Sequence, residues 1–223
     1  MGSVMNLGQL LHGKPQADAP GAISRAWSYE MFEALAFAGR RRRTFGRLVR
    51  LSGAKPGDRV LDVGCGPGYL TALAAEAVAP DGVAEGIDAS APMIEQARLR
   101  RSGAACSFRV GKAEALDSAD GSFDVVLSSL MVHHLPEENR AGAFAEMFRV
   151  LRPGGHLLIA EFRPPRSRLG RHLVGATAGH VMRDNPIDRI APMARDAGFE
   201  NATDGVVRPF FYYVRADKPR QHS

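Results

Sequence analysis

A glycine-rich turn between residues 60 and 70 constrains the fold of this chain more than any other stretch. It reads Val60-Leu61-Asp62-Val63-Gly64-Cys65-Gly66-Pro67-Gly68-Tyr69-Leu70, so an apolar run meets an acidic residue and glycines then fall at alternate positions. An apolar helical pattern begins directly after the last glycine. This order predicts a buried parallel strand, a tight turn and the N-terminus of a helix. Glycine permits a positive φ and lets a ligand lie against the backbone, while the helix end supplies free N–H groups.

Two classes of ligand use a turn of this kind. Dinucleotide-binding folds require G-x-G-x-x-G, with the third glycine at the contact between helix and strand. Counted from Gly64, that third position is Tyr69, so the dinucleotide fingerprint fails and a dehydrogenase is not predicted. The string Asp-x-Gly-x-Gly-x-Gly from Asp62 to Gly68 resembles motif I of the class I S-adenosylmethionine-dependent methyltransferases. The resemblance implies that this loop lies against the methionine and ribose portions of S-adenosylmethionine. Its residues Gly64, Cys65, Gly66 and Gly68 are therefore assigned to the cofactor site. It also implies that Asp62 faces the cofactor's amino group.

Length and composition suit one α/β domain with a small extension. The chain has 223 residues, of which 45% are hydrophobic, as expected for a globular protein with a real core. Its two cysteines, Cys65 and Cys106, fall in the glycine turn and at a predicted strand, which does not indicate a stabilising disulfide. Neither an apolar run near the ~18 residues of a membrane span nor a signal-peptide layout is found. We therefore expect a cytoplasmic protein, either a monomer or a homodimer.

Strands and helices alternate along the rest of the chain as a doubly wound α/β fold requires. After the glycine turn, helices are predicted over Tyr69–Val78, Ala91–Leu99, Glu137–Val150 and Pro186–Ala197. Strands are predicted over Val83–Asp88, Cys106–Val110, Phe123–Leu130 and His156–Glu161, and Glu200–Val207 with Phe210–Ala216 is predicted to close the sheet as an antiparallel hairpin. We expect a Rossmann-like sheet of seven strands, and the family resemblance implies the order 3-2-1-4-5-7-6.

The N-terminal region is predicted to be separate from this core. We assign residues 1–50 to an arm and helical lid and residues 51–223 to the core, with residues 163–190 as an insertion on the substrate side. Gly39 and the run Arg40-Arg41-Arg42-Arg43 are expected to separate two helices. The net charge of +5 and this run are compatible with contacts to RNA phosphate or an anionic substrate, or with a solvated helical surface.

Asp88 ends the second predicted strand, 20 positions beyond Gly68. In α/β nucleoside sites a carboxylate at this spacing binds the ribose hydroxyls, because one helix and one strand return the chain to the same sheet edge. A carboxylate accepts two hydroxyl bonds, which suits a vicinal diol. The alternative is that Asp88 caps the following helix. The resemblance also assigns Ala89 and Met93 to the cofactor site.

The turn Gly111-Lys112-Ala113-Glu114 follows the third strand. In the methyltransferase family this turn meets the adenine ring, often through Gly-Asp-Ala-Glu, so the resemblance implies cofactor contacts at Lys112, Ala113 and Glu114. Lysine only donates hydrogen bonds and cannot accept one from the adenine amino group, which leaves the backbone of Ala113 to address the ring edge.

A fourth motif, Arg149-Val150-Leu151-Arg152-Pro153-Gly154-Gly155, is typical of the same family and is predicted to be a turn before the fifth strand. Four motifs thus occur in the family's order, and the resemblance covers about residues 59–162. Ligands of open α/β sheets bind beyond the carboxyl ends of the strands, which places Ser128 to His134 and Glu161 beside the glycine turn.

His133 and His134 follow the fourth strand and are the candidate catalytic residues, with Glu161 at the end of the next strand. Related small-molecule methyltransferases often carry His-His-Leu-Pro here, and in some of them the histidine works with an acidic residue like Glu161. A His–carboxylate pair fixes the imidazole tautomer and suits a general base. Since neighbouring residues point apart, one histidine is expected to line the pocket and the other to pack; both could instead cap the helix and fill space. Tyr29, on the predicted lid, either lies near the methyl group or is only hydrophobic cover.

These residues predict S-adenosylmethionine-dependent methyl transfer to oxygen or nitrogen of a small, largely apolar cyclic acceptor. The predicted pocket is lined by Tyr29, Met31, Phe32, Met131, Phe162 and residues 170–185. An RNA or DNA methyltransferase is the first alternative, weakened because Ser128-Ser129-Leu130 replaces the Asn/Asp-Pro-Pro-aromatic string of adenine-N6 enzymes. A non-catalytic S-adenosylmethionine-binding protein is the second. No histidine or cysteine spacing resembles a metal site.

Overall fold

The structure, a computed structural model, describes residues 40–163, 186–208 and 211–220. The predicted N-terminal arm, the lid up to residue 39 with Tyr29, Met31 and Phe32, and residues 164–185 of the predicted insertion lie outside the described residues. The two-domain division at residue 50 therefore stays a prediction.

Five α-helices and seven β-strands make up the described part of the chain, numbered here in chain order. The helices are α1 (Arg41–Ser52), α2 (Tyr69–Val78), α3 (Ala91–Arg101), α4 (Glu137–Val150) and α5 (Ile187–Asp196). The strands are β1 (Arg59–Val63), β2 (Val83–Asp88), β3 (Cys106–Val110), β4 (Phe123–Ser129), β5 (Leu151–Phe162), β6 (Glu200–Val207) and β7 (Phe211–Asp217). A short 3₁₀ turn, Val132–His134, lies between β4 and α4.

The strands form one sheet in the order β3-β2-β1-β4-β5-β7-β6, which confirms the predicted topology. Strands β1 to β5 are parallel, whereas β7 runs antiparallel between β5 and β6. The central strands β1 and β4 are largely buried and have apolar centres, Val60-Leu61 and Val125-Val126-Leu127, as a sheet covered on both faces requires. The edge strand β6 is polar and largely exposed, which discourages pairing with another chain.

Helices cover the sheet in two layers with separate apolar cores. On one face α1, α2 and α3 pack through Leu48, Leu70 and Ile94 against residues such as Val125. On the other face α4 and α5 pack through Phe144, Met147 and Ile190 against Leu157 and Ile159. Because both faces are covered, ligand access is confined to the edge where the parallel strands end.

Two predicted boundaries are wrong. Helix α1 begins at Arg41, so Arg41 to Arg43 form its first turn instead of a linker between helices. The segment from Leu151 to Gly155 is the beginning of β5 and not a turn before it. It joins the sheet because Leu151 pairs with Phe123 across a register shift in β4, and because Gly154 N–H donates to the carbonyl of Lys218 at 2.9 Å.

Candidate active site

The glycine turn joins β1 to α2 at the carboxyl edge of the sheet. All three glycines of the turn have positive φ: 75° at Gly64, 51° at Gly66 and 81° at Gly68. The backbone N–H groups of Gly64 and Cys65 both donate to the carbonyl of Ile87, at 2.8 and 2.9 Å. These bonds tie the turn to the end of β2, so the ends of the first two strands form one continuous surface. Burial raises the pKa of the Cys65 thiol, which therefore remains neutral there.

The three glycines have different surroundings. A Cβ at Gly64 would lie 2.2 Å from Cγ of Met131, and one at Gly68 would lie 2.4 Å from Cε1 of Phe108. A Cβ at Gly66 would meet no atom within 4 Å. Gly64 and Gly68 are thus required by the packing of the protein itself. Gly66 is the position where a ligand has room to lie against the backbone.

Asp62 is fully buried below the turn, and only one of its carboxylate oxygens is bonded. Oδ2 accepts a 2.6 Å hydrogen bond from the hydroxyl of Thr71, while Oδ1 has no partner among the described residues. Burial raises the pKa of Asp62 to about 7, although the bond from Thr71 opposes that shift. A buried acceptor without a donor is costly, and an ammonium group would satisfy it. This orphaned oxygen, with the open space at Gly66, fits the amino acid portion of S-adenosylmethionine.

Asp88 joins the end of β2 to the same turn. Its Oδ2 accepts from the N–H of Gly66 at 2.9 Å, and its Oδ1 accepts from the N–H of Ser90 at 2.8 Å. Burial raises the pKa of Asp88, and the two N–H groups pull it back toward its ordinary value. The N-cap position of α3 is occupied by Ser90, whose side chain makes no capping bond, and not by Asp88. The carboxylate is therefore held against the turn, and ribose binding by Asp88 stays a prediction.

The other residues predicted to hold the cofactor surround these carboxylates. Ala89 is exposed and Met93 half-buried at the junction of β2 and α3. Ala113 is buried, Lys112 is exposed, and Glu114 accepts a 3.4 Å bond from the side chain of Asn139. Ser128, near the end of β4, is buried, and its hydroxyl has no partner in the described part of the chain. Their cofactor contacts stay predictions.

A buried histidine–glutamate pair lies at the ends of the next two strands. Glu161 is fully buried on β5, and its Oε1 accepts from the N–H of Val132 at 2.8 Å. Its Oε2 lies 2.6 Å from Nδ1 of His133, whose side chain is 4% exposed. With Nδ1–H donating to the carboxylate, Nε2 of the neutral ring keeps its lone pair. That nitrogen can accept a proton, as a general base must.

The two histidines do not point apart as predicted. Their ring centroids lie 4.0 Å apart at an interplanar angle of 41°. Both belong to the 3₁₀ turn, whose successive side chains diverge by about 120°, but the rings are long enough to converge. They differ instead in burial, since His134 is exposed. Neither caps α4, because the N-cap is Pro136 and no side chain bonds to the helix end there.

Met131 connects the histidine turn to the glycine turn. The residue before it, Leu130, has a φ of 56° and donates its N–H to the carbonyl of Ala160 at 2.8 Å. This left-handed residue turns the chain out of β4 and directs the buried side chain of Met131 across Gly64. The sequence does not predict this role of Leu130 or the hydrogen bond from Thr71 to Asp62. For the bond, the one feature in the sequence that could have indicated it is a hydroxyl residue on the inner face of α2.

No group of three or more histidine, cysteine, aspartate or glutamate residues that could hold a metal ion occurs within the described ranges. None of the helices described here is long and apolar enough to cross a membrane.

Fold and site together define an α/β protein that binds a nucleoside-type cofactor at the carboxyl edge of its sheet. A family model described as a methyltransferase domain matches residues 60–155. The chain is 36% identical to an arsenite methyltransferase of Halobacterium salinarum over 65% of this chain and 38% of that protein. It is 30% identical to the ubiquinone/menaquinone biosynthesis C-methyltransferase UbiE of Shewanella pealeana, over 71% of this chain and 75% of that protein.

The chain belongs to the S-adenosylmethionine-dependent methyltransferase family, which confirms the family and the cofactor predicted from the sequence. A phosphoethanolamine N-methyltransferase of Haemonchus contortus, solved with S-adenosylmethionine, superposes with a TM-score of 0.70 at 19% identity. That likeness, over 98% of this chain and 61% of the other, shows the shared fold. The chain spans 38–59% of the length of the first curated relatives it matches.

Proposed function

We propose that this protein transfers a methyl group from S-adenosylmethionine to a small cyclic acceptor that becomes nucleophilic when it loses a hydroxyl proton. The observation that carries the proposal is the 2.6 Å contact between the buried Glu161 and His133, two strands from the glycine turn. Strands in a sheet are spaced about 4.8 Å apart, so β1, β4 and β5 bring cofactor turn and base within the reach of one small molecule.

Each residue of the pair has a defined part in this chemistry. When bound, the cofactor supplies a methyl group on a sulfonium centre, which is electrophilic without further activation. His133 Nε2 takes the proton from the acceptor hydroxyl, and the imidazolium that results is stabilised by Glu161. The turn from Gly64 to Gly68 would hold the cofactor and so orient its methyl group toward the acceptor. A neutral thioether would be the leaving group, because the sulfur would keep the electron pair of its bond to the methyl carbon.

The atom that receives the methyl group is the finer part of the proposal. Sequence analysis predicts oxygen or nitrogen, whereas several relatives are named as C-methyltransferases of ubiquinone and menaquinone biosynthesis. Removing a ring hydroxyl proton increases electron density on the oxygen and on the adjacent ring carbon alike, so one base serves both outcomes. The buried Met131 and the half-buried Phe162 favour an apolar ring over a charged acceptor.

Turnover with a panel of phenols, hydroxyquinones and N-heterocycles tests the proposal. The unmodified chain is expected to release S-adenosylhomocysteine with a hydroxylated ring, and mass spectrometry of the product locates the methyl group on oxygen, nitrogen or carbon. His133→Ala is expected to lower kcat about 100-fold or more, the usual contribution of a positioned base, without changing cofactor affinity.

His156→Ala is the matched control, because that histidine lies in the middle of β5, beside Val125 near the start of β4, and pairs with Asp217. It is thus several residues from the edge where β4 and Glu161 end. His156→Ala is expected to retain turnover. Equal activity of His133→Ala and the parent would reject the base. Binding of S-adenosylhomocysteine with no turnover on any hydroxylated ring would favour the non-catalytic alternative, and turnover on RNA or DNA alone would favour a nucleic-acid methyltransferase.

A further inference from the structure

Positive charge is concentrated on one of the two helical layers. The layer of α1, α2 and α3 carries eight arginines and two glutamates. The layer of α4 and α5 carries four arginines and five carboxylates. The first layer is therefore strongly basic, whereas the second is nearly neutral.

Helix α1 presents its arginines in a row. Arg40, Arg43, Arg47 and Arg50 follow one another at intervals of three or four residues, and all four are exposed. This spacing aligns them along one face over about 15 Å. None of the four forms an ion pair with another described residue, in contrast to Arg42, which pairs with Glu76 of α2 at 2.6 Å. Among the residues that the structure describes, the row is thus a set of cations with no carboxylate partner.

A groove runs beside the row between α1 and α2. Its volume is about 710 Å³, and its rim contains four arginines and one glutamate, which pairs with one of them: Arg40, Arg42, Arg43, Arg50 and Glu76. Its floor is aliphatic, with Val49, Leu73 and Ala77 as contributors. A basic rim over an aliphatic floor is complementary to an anionic headgroup attached to hydrocarbon.

We propose that the α1–α2 face docks on an anionic lipid bilayer, with the arginine row on the lipid phosphates. Clusters of four to eight basic residues on an amphipathic helix are attracted to acidic membrane surfaces, and a guanidinium binds phosphate through two parallel hydrogen bonds. A nucleic acid fits less well, because none of the described residues that line the groove has an aromatic ring for base stacking. The nearby Tyr69 is already stacked under Arg41, 3.8 Å from the ring centroid.

Vesicle co-sedimentation of the full chain tests this proposal. The protein is expected to pellet with vesicles of phosphatidylcholine and phosphatidylglycerol, to remain in solution with phosphatidylcholine alone, and to be released as NaCl is raised. A variant with Arg40, Arg43, Arg47 and Arg50 all changed to Gln is expected to bind acidic vesicles more weakly by at least about 100-fold. Each arginine near an anionic surface contributes on the order of five-fold, and the four act together.

The matched control removes the same charge elsewhere. Lys55, Arg195, Arg208 and Arg220 are exposed and lie outside the row, so changing all four to Gln leaves acidic-vesicle binding within a few-fold of the parent. Circular dichroism and thermal unfolding are used to check that both variants are folded. An equal loss in both variants would overturn the proposal, because net charge and not the row would be responsible. The proposal would also be overturned if the chain bound an RNA or DNA oligonucleotide more tightly than acidic vesicles and that binding depended on the row.

Discussion

Gly64 is packed so closely that a single methyl group there is expected to destabilise the protein severely. In Gly64→Ala the new Cβ would lie 2.2 Å from Cγ and 2.6 Å from Cβ of Met131. No rotation relieves both contacts, since Cβ of Met131 is fixed by its backbone. Overpacking of this kind costs about 1–3 kcal/mol. The φ of 75° adds about 1–2 kcal/mol for a residue with a side chain. The expected loss in the free energy of unfolding is therefore about 2–5 kcal/mol.

Gly66→Ala is the matched control for the collision. Its φ of 51° carries the same backbone strain, but its Cβ would meet nothing within 4 Å. Urea unfolding is expected to show a loss of about 1–2 kcal/mol for Gly66→Ala, all of it from the backbone. Affinity for S-adenosylhomocysteine is expected to fall in this variant, because the methyl group enters the space left for the ligand.

A double-mutant cycle separates the collision from every other effect. Met131→Ala removes Cγ, the nearer of the two atoms that the new Cβ would strike, and keeps Cβ. Gly64→Ala is therefore expected to be less destabilising in that background by about 1–2 kcal/mol. Additive losses in the double variant would refute the steric reasoning. So would equal destabilisation by Gly64→Ala and Gly66→Ala, since the two positions share their backbone strain and differ only in their neighbours.

Three further predictions concern the carboxylates of the site. Asp88→Ala leaves two N–H groups without their acceptor, and calorimetry is expected to show S-adenosylhomocysteine binding weakened by roughly 1–3 kcal/mol. Glu85→Ala, on the same strand, is expected to leave that affinity unchanged. Unchanged affinity in Asp88→Ala would reject Asp88 as a cofactor residue. Because the pKa of Asp62 is raised from 3.8 to about 7, the folded state holds a proton that the unfolded state releases, so the free energy of unfolding is expected to fall as pH rises from about 4 through 7. Urea unfolding across that range checks this, and an undiminished slope in Asp62→Asn would contradict it. Glu161→Gln is expected to lower kcat with cofactor affinity unchanged. The amide has one acceptor oxygen for two donors, the N–H of Val132 and Nδ1–H of His133, and no charge to stabilise the imidazolium. Parental kcat would remove Glu161 from the mechanism.

Much of the fold could be predicted because its signals are local. The apolar runs of β1 and β4 and the helical pattern after Gly68 depend only on neighbouring residues, and each prediction is confirmed to within a few residues. The two wrong boundaries have non-local causes. Leu151 to Gly155 has the composition of a turn, but its pairing with β4 and with the segment after β7 makes it a strand. The arginine run suggested a linker, but α1 begins within it at Arg41, and burial of Phe45, Leu48 and Val49 stabilises this helix.

The sequence by itself determined which residues reach the ligand edge of the sheet. Parallel strands joined by helices all end at the same edge, so Asp62, Asp88, His133 and Glu161 are assembled there by topology. Only the tertiary structure decided how those residues meet. The pairing of His133 with Glu161, 28 positions away, the packing of Met131 across Gly64, and the unpaired oxygen of Asp62 depend on register and on a left-handed Leu130. Local patterns encode secondary structure, whereas contacts between side chains on different elements arise only when the sheet fixes their relative positions.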